Sequence, residues 1–148
     1  MSGNGAGTRK ARVLFLCLGN SCRSQMAEGF AKKYGGDVIV AASAGLAPAV
    51  YVAKDTLRAM DEKNIDLRDH FPKSLRQLGG AQFDLVVNMS GELLLEPMPG
   101  PVREWKVSDP IGVKYDVHCK IRDEIERRVM DLILELRRSQ KNSSSPPR

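Results

Sequence analysis

The sequence predicts an α/β domain: a sheet of parallel strands with helices between them. Three observations carry this. Short continuous apolar runs alternate with stretches whose apolar residues recur at helical spacing. Clusters of Gly, Pro, Asn and Ser separate the two kinds of segment. A chain of 148 residues has room for one domain rather than two. Strands separated by helices pair in parallel through right-handed crossovers. The expected architecture is a single three-layer domain, a four-stranded parallel sheet flanked by helices.

The elements follow in order. Val13-Leu14-Phe15-Leu16 is a run without alternation, as expected of a strand buried on both faces. A polar turn at residues 19–23 leads into a helix over residues 24–34, with Met26, Ala27, Phe30, Ala31 and Tyr34 on one face. Gly35-Gly36 ends that helix. Residues 38–42 form a second buried-type strand and residues 43–48 a loop. A helix is expected from about residue 50 to 63 and a short helical turn over 74–78. A third strand is expected over 83–89 and a weaker fourth over 102–107. Asp109-Pro110-Ile111-Gly112 is a turn. In the last helix, from about residue 117 to 136, Ile121, Ile125, Val129, Leu132 and Leu136 share a face. The expected organisation is therefore a disordered segment at 1–11, a catalytic domain at 12–138 and a disordered tail at 139–148.

Composition narrows the function classes. Hydrophobic residues are 42% and charged residues 28% of the chain, ordinary for a globular protein. No apolar run approaches the ~18 residues of a membrane helix, and the N-terminus lacks the apolar stretch of a secretory signal. Three cysteines without ligand spacing point to thiols in a reducing compartment, and so to a cytoplasmic protein. His70 and His118 have no partner at ligand spacing, so no metal is expected. The net charge is +5, of which residues 1–12 and 137–148 contribute +7, leaving the middle of the chain at −2. The basic ends read as solvated tails. No basic stripe interleaved with aromatics suggests nucleic acid, and nothing suggests a membrane partner.

The chemistry lies in Cys17-Leu18-Gly19-Asn20-Ser21-Cys22-Arg23-Ser24, between the first strand and the first helix. Five residues separate Cys17 from Arg23. A turn of that length can point successive N–H groups inward, and such a nest at a helix N-terminus binds a tetrahedral oxyanion. Residues 18–24 are the expected oxyanion-binding set. Gly19 allows the sharp turn, and the planar fork of Arg23 holds two oxygens at once. Cys17 at the bottom of the ring is placed in a field that favours its thiolate and aimed for in-line attack on the central atom. Ser24 can hydrogen-bond the sulfur.

From Cys17 through Gln25-Met26-Ala27-Glu28-Gly29, the sequence resembles the low-molecular-weight protein tyrosine phosphatases and the related thioredoxin-coupled arsenate reductases. The resemblance extends over about residues 13–136. It implies a cysteinyl-phosphate intermediate at Cys17, an anion-binding Arg23 and a general acid in a late Asp-Pro loop. Asp109-Pro110 matches that loop; Asp116 and Asp84 are other acids without its context. A carboxylic acid suits the role because it can protonate the leaving oxygen and then, ionised, activate water. The resemblance also implies that Asn20 braces the loop, and that in some reductases Glu28 and Ser43 join it around a potassium ion.

The two branches differ in their thiols. The reductases carry a second and a third cysteine flanking the segment after the third strand. Here residues 88–98 hold no cysteine, and Ser90 stands where the first is expected. The features around Ser21, Gln25 and Ile111-Gly112 are similar to the reductases, and the tyrosine pair that follows Asp-Pro in the phosphatases is missing. The expected function is hydrolysis of phosphate monoesters, on a phosphorylated protein such as one bearing phosphotyrosine or on a small substrate, with inhibition by phosphate-like oxyanions and no cofactor. The alternatives are arsenate reduction on the same fold, with thioredoxin as partner, and a phosphate-recognising module without turnover. Cys22 has two readings: a small side chain packed under the loop, or a thiol that protects an oxidised Cys17 as a disulfide. Cys119 reads as structural.

Overall fold

The computed structural model describes residues 9–143. Its elements are β1 (Ala11–Cys17), α1 (Arg23–Gly35), β2 (Ile39–Gly45), α2 (Lys54–Asp61), a 3-10 turn (Arg76–Leu78), β3 (Leu85–Asn88), β4 (Val102–Glu104) and α3 (Tyr115–Ser143). The four strands form one sheet in the order β2-β1-β3-β4, and every neighbouring pair is parallel. That is the expected α/β architecture.

Alternation along the central strands divides the core in two. Val13, Phe15 and Cys17 of β1 and Val87 of β3 face α1 and α3, packing with Met26, Phe30, Ile125, Val129 and Ile133. Leu14, Leu16 and Val86 face the other way, against Phe83, Leu75, Leu78, Leu94 and Met98. The sheet is thus the middle layer between helices and a layer built from the 3-10 turn and irregular segments. Leu14, Phe15 and Leu16 are completely buried. Full burial of such a side chain contributes roughly 1.5–3 kcal/mol, which accounts for the unbroken apolar run at a central strand.

Several boundaries differ from expectation. Strand β2 runs on through Ser43, Ala44 and Gly45, which the sequence suggested were a loop, because each pairs with the end of β1. Helix α2 begins at Lys54 rather than near residue 50, because residues 46–53 lie against the turn after β1. Strands β3 and β4 are shorter than expected. At the start, β1 already includes Ala11, and Arg9 makes an ion pair of 2.7 Å with Asp84, so residues 9–11 are structured. Helix α3 continues to Ser143, through half of the expected tail. Residues 1–8 and 144–148 lie outside the described residues. No described helix is long and apolar enough to cross a membrane.

Candidate active site

The carboxyl ends of β1, β3 and β4 lie side by side, and the turn leaving β1 sits among them. In open parallel sheets this edge receives ligands. The carbonyls of Cys17, Leu18, Gly19 and Ser21 all point outward, accepting hydrogen bonds from the amides of Leu46, Ala47, Ala49 and Ala53 at 2.8–3.0 Å. In a planar trans peptide the next residue's N–H points opposite to the carbonyl. The amides of Leu18, Gly19, Asn20 and Cys22 therefore turn toward the inside of the loop. Helix α1 begins at Arg23 with no acidic residue in its first turn and no side chain capping it. Its leading amides and positive dipole end add to the same anion-seeking centre.

Two features hold the loop in this shape. Asn20 adopts the left-handed backbone conformation, with φ of 51°. Its side chain ties the loop to its surroundings: Nδ2 donates to Ser24 Oγ at 2.7 Å, and Oδ1 accepts from the amide of Lys73 at 2.9 Å and from Gln25 Nε2 at 3.2 Å. Gln25 in turn accepts from His70 Nδ1 at 2.9 Å. The second feature is Gly45, the last residue of β2. A Cβ there would lie 2.8 Å from the Leu18 carbonyl oxygen and 2.9 Å from the Asn20 nitrogen. The sequence reading did not single out Gly45, because its importance arises from a backbone approach that leaves no local pattern.

Cys17 lies buried on the floor of the loop. Its sulfur is 2.8 Å from Ser24 Oγ. Toward a Cys17 thiolate, which has no proton to give, the Ser24 hydroxyl is the donor. Such a bond stabilises developing negative charge on the sulfur. Arg23 is only 5% exposed. Its Nη1 donates to the Met89 carbonyl at 2.7 Å and to the Val107 carbonyl at 3.2 Å. Two backbone carbonyls, from the ends of β3 and β4, thereby fix the plane of the guanidinium. Nε and Nη2 make no hydrogen bond among the described residues, which leaves an edge suited to two oxyanion oxygens.

Asp109 faces this edge. Its Oδ2 is 3.7 Å from Arg23 Nη2, with the Asp109 side chain 48% exposed, and Oδ1 accepts from the Ile111 amide at 3.0 Å. Cys17, Arg23, Ser24, Asn20 and Asp109 thus come together. Asp84 does not: it lies at the opposite end of the sheet, bonded to Arg9 and to the Arg12 amide. Asp116 is an exposed residue in the first turn of α3.

Cys22 is also buried, and burial pushes its thiol above the ordinary value despite hydrogen bonds with Thr56 and Ser21. Cys17 and Cys22 are both free thiols. Cys119 is partly exposed, 4.0 Å from a Glu62 oxygen. In the segment after β3, Ser90 donates to Asn88 Oδ1 at 2.7 Å and accepts from the Glu92 amide at 3.0 Å. Asn88 also donates to Glu104 at 3.0 Å. Hydrogen bonds, not thiols, organise that stretch.

Glu28 and Ser43 do meet, the hydroxyl donating to the carboxylate. The Lys32 ammonium sits 2.6 Å from the second carboxylate oxygen. Burial pushes the Glu28 carboxyl up, but the bonds from Lys32 and Ser43 outweigh it and hold the group below the ordinary carboxylate value. With the carboxylate already neutralised by an ammonium, these residues do not fit a resident potassium ion.

The chain is similar in sequence and in fold to known proteins. Residues 12–142 match the model of the family described as low molecular weight phosphotyrosine protein phosphatase. Arsenate reductase 1 of Bacillus cereus is 38% identical over 124 residues, covering 81% of this chain and 92% of its own. An arsenate reductase solved in the phosphate binding state superposes with a TM-score of 0.76 at 30% identity, over 85% of this chain and 98% of that one. The arginine phosphatase of Geobacillus stearothermophilus superposes with a TM-score of 0.80 over 93% of this chain and 99% of that one, at 22% identity, a likeness of fold. The chain belongs to the low molecular weight phosphotyrosine protein phosphatase family.

Proposed function

We propose that the protein reduces arsenate through Cys17, with the second thiol supplied from outside the chain. The observation that carries this reading is the arrangement of Cys17 beneath an inward-facing amide ring with Arg23 and Asp109 at its rim. The named relatives favour reduction over the phosphate-ester hydrolysis that the sequence suggested.

The Cys17 thiolate attacks the arsenic of a bound arsenate, forming an S–As bond. A hydroxide leaves as that bond forms, and Asp109 gives it a proton, so that water departs. The loop amides and Arg23 hold the three remaining oxygens, where charge builds up. A second thiolate then attacks the Cys17 sulfur. The new S–S bond forms as the S–As bond breaks, and the bonding pair returns to arsenic, which departs as arsenite. Two thiols are oxidised to one disulfide while As(V) becomes As(III).

Residues 88–98 contain no thiol to act in the second step. Cys22 is held in its protonated form by burial, and the thiolate is the attacking species. We assign the second thiol to a small-molecule thiol or a thioredoxin-type protein, with Cys119 on α3 as the remaining candidate within the chain. The same missing cysteines favour a second reading, in which Cys17 attacks the phosphorus of a phosphate monoester, Asp109 protonates the leaving alcohol, and the ionised Asp109 then activates water against the phosphocysteine.

A single preparation assayed in parallel separates the two. Arsenite formation with arsenate plus glutathione, or with a thioredoxin system, is the expected result. Hydrolysis of p-nitrophenyl phosphate without arsenite formation from any thiol donor would establish the phosphatase reading instead. Turnover of neither substrate, with phosphate still bound, would leave a recognition module.

A further inference from the structure

Arg23 is gripped by backbone that other residues in turn hold. Its Nη1 donates to the Met89 carbonyl at 2.7 Å and to the Val107 carbonyl at 3.2 Å. Met89 is the residue after β3. The peptide unit that carries its carbonyl ends in the Ser90 amide. A trans peptide is planar, so its N–H and C=O point in opposite directions. Whatever fixes the Ser90 N–H therefore aims the Met89 carbonyl.

That N–H donates to Asn88 Oδ1 at 3.1 Å. Asn88 is completely buried and Ser90 is 7% exposed. The same Oδ1 accepts from the Ser90 hydroxyl at 2.7 Å, and the hydroxyl oxygen accepts from the Glu92 amide at 3.0 Å. The neighbours of the Asn88 side chain allow it one orientation. Nδ2 lies 3.0 and 3.1 Å from the two carboxylate oxygens of Glu104 on β4, and 3.1 Å from the Glu92 carbonyl. All three are acceptors, so the NH2 group faces them and the oxygen faces Ser90. Asn88 also reaches toward the second anchor. Its main-chain carbonyl accepts from the Trp105 amide at 2.9 Å, two residues before Val107.

We propose that Asn88 and Ser90 are positioning residues that aim Arg23 at the oxyanion, with Glu104 as the latch that keeps the Asn88 amide in its orientation. They act through the Met89 peptide and the guanidinium, not on the oxyanion itself. The inference rests on the reading of Arg23 as the residue that holds the oxyanion. Nε and Nη2 present their edge to the loop while Nη1 stays on the Met89 carbonyl. With that carbonyl released, the guanidinium turns about its last side-chain bonds and the edge loses its aim.

Calorimetry with inorganic phosphate reads that aim without requiring turnover. Asn88→Ala should weaken phosphate binding about tenfold, short of the ~10²-fold that a 1 Å misplacement can cost, because the Val107 carbonyl remains. Ser90→Ala keeps the amide bond to Asn88 and should weaken binding less. Glu104→Ala removes the latch from an exposed edge strand, which spares the core, and should also weaken binding. The pair Asn88→Asp with Glu104→Gln reverses donor and acceptor between the two side chains and leaves an oxygen for the Ser90 amide. It should restore most of the lost affinity. In protein labelled at arginine nitrogen, NMR should show Arg23 Nη protons that rotate slowly in the wild type and are averaged in Asn88→Ala.

Wild-type affinity in Asn88→Ala, or, if that variant does not fold, in both Ser90→Ala and Glu104→Ala, would overturn the proposal. So would a loss of affinity with unchanged Arg23 signals and no rescue by the reversed pair, the behaviour of a turn that serves folding alone. Arg23→Lys separates the proposal from the reading beneath it. If Arg23→Lys weakens phosphate binding and Asn88→Ala does not, the positioning role fails. If neither does, Arg23 does not hold the oxyanion, and the reading fails with the proposal.

Discussion

Replacing Gly45 by alanine tests how the oxyanion loop is held. The added Cβ would sit 2.8 Å from the Leu18 carbonyl oxygen, 2.9 Å from the Asn20 nitrogen and 2.9 Å from the Gly19 carbonyl carbon. All three are main-chain atoms, so no side chain can rotate away. Ordinary contact begins near 3.4 Å, so loop and strand must separate by about 0.6 Å. The strand side cannot yield easily, because Gly45 pairs with Cys17 and its amide donates to the Lys73 carbonyl at 2.8 Å. The loop therefore moves. Overpacking of this kind costs about 1–3 kcal/mol of stability. A misplacement approaching 1 Å in a catalytic constellation costs up to ~10²-fold in rate. Turnover should fall about 10- to 100-fold, and inorganic phosphate binding measured by calorimetry should weaken, while the protein remains folded. Gly36→Ala is the control: its Cβ would meet only the Lys32 carbonyl oxygen at 3.5 Å. Wild-type turnover and phosphate affinity in Gly45→Ala would refute the claim that this backbone approach shapes the loop.

Other substitutions probe the remaining parts. Arg23→Lys should reduce kcat/KM at least about 10²-fold, because a lysine cannot hold two carbonyls and two oxyanion oxygens in one plane; near-normal kinetics would remove Arg23 from the site. Asp109→Asn should slow phenyl phosphate more than p-nitrophenyl phosphate by about 10²-fold, and equal slowing would refute the acid assignment. Glu28→Gln should lower stability by about 1–3 kcal/mol at neutral pH, by weakening the bonds from Lys32 and Ser43. The folded Glu28 carboxyl titrates below the ordinary value of 4.5, so its contribution is present above that pH and fades as pH falls through the folded value. The stability gap between wild type and Glu28→Gln in urea unfolding should therefore shrink as pH falls through the folded Glu28 value and close below it, and a constant gap would contradict the ion pair.

The oxyanion loop was legible because it is contiguous. Strand, turn and helix start follow one another within residues 13–30, and the spacing of Cys17 and Arg23 expresses the chemistry directly. Asp109 was legible through its proline and its place beyond the fourth strand. What the sequence hid is long-range and mostly backbone. Nothing local to residues 46–53 shows that their amides take the loop's outward carbonyls. Nothing near Met89 or Val107 marks them as anchors for Arg23. His118 and Thr56, hydrogen-bonded at 3.1 Å, lie 62 residues apart, and the sequence shows of His118 only that it has no partner at metal-ligand spacing. The β2 boundary failed for a related reason: Ser43-Ala44-Gly45 has turn-like composition, but pairing with β1 overrides local preference.

The central claim is tested most directly by mass spectrometry of the protein after single-turnover exposure to arsenate and glutathione. The account predicts an arsenate-dependent mixed disulfide on Cys17, retained in Cys22→Ser and lost in Cys17→Ser. Cys17 left unmodified under those conditions, with phosphate shown to occupy the loop, would contradict it.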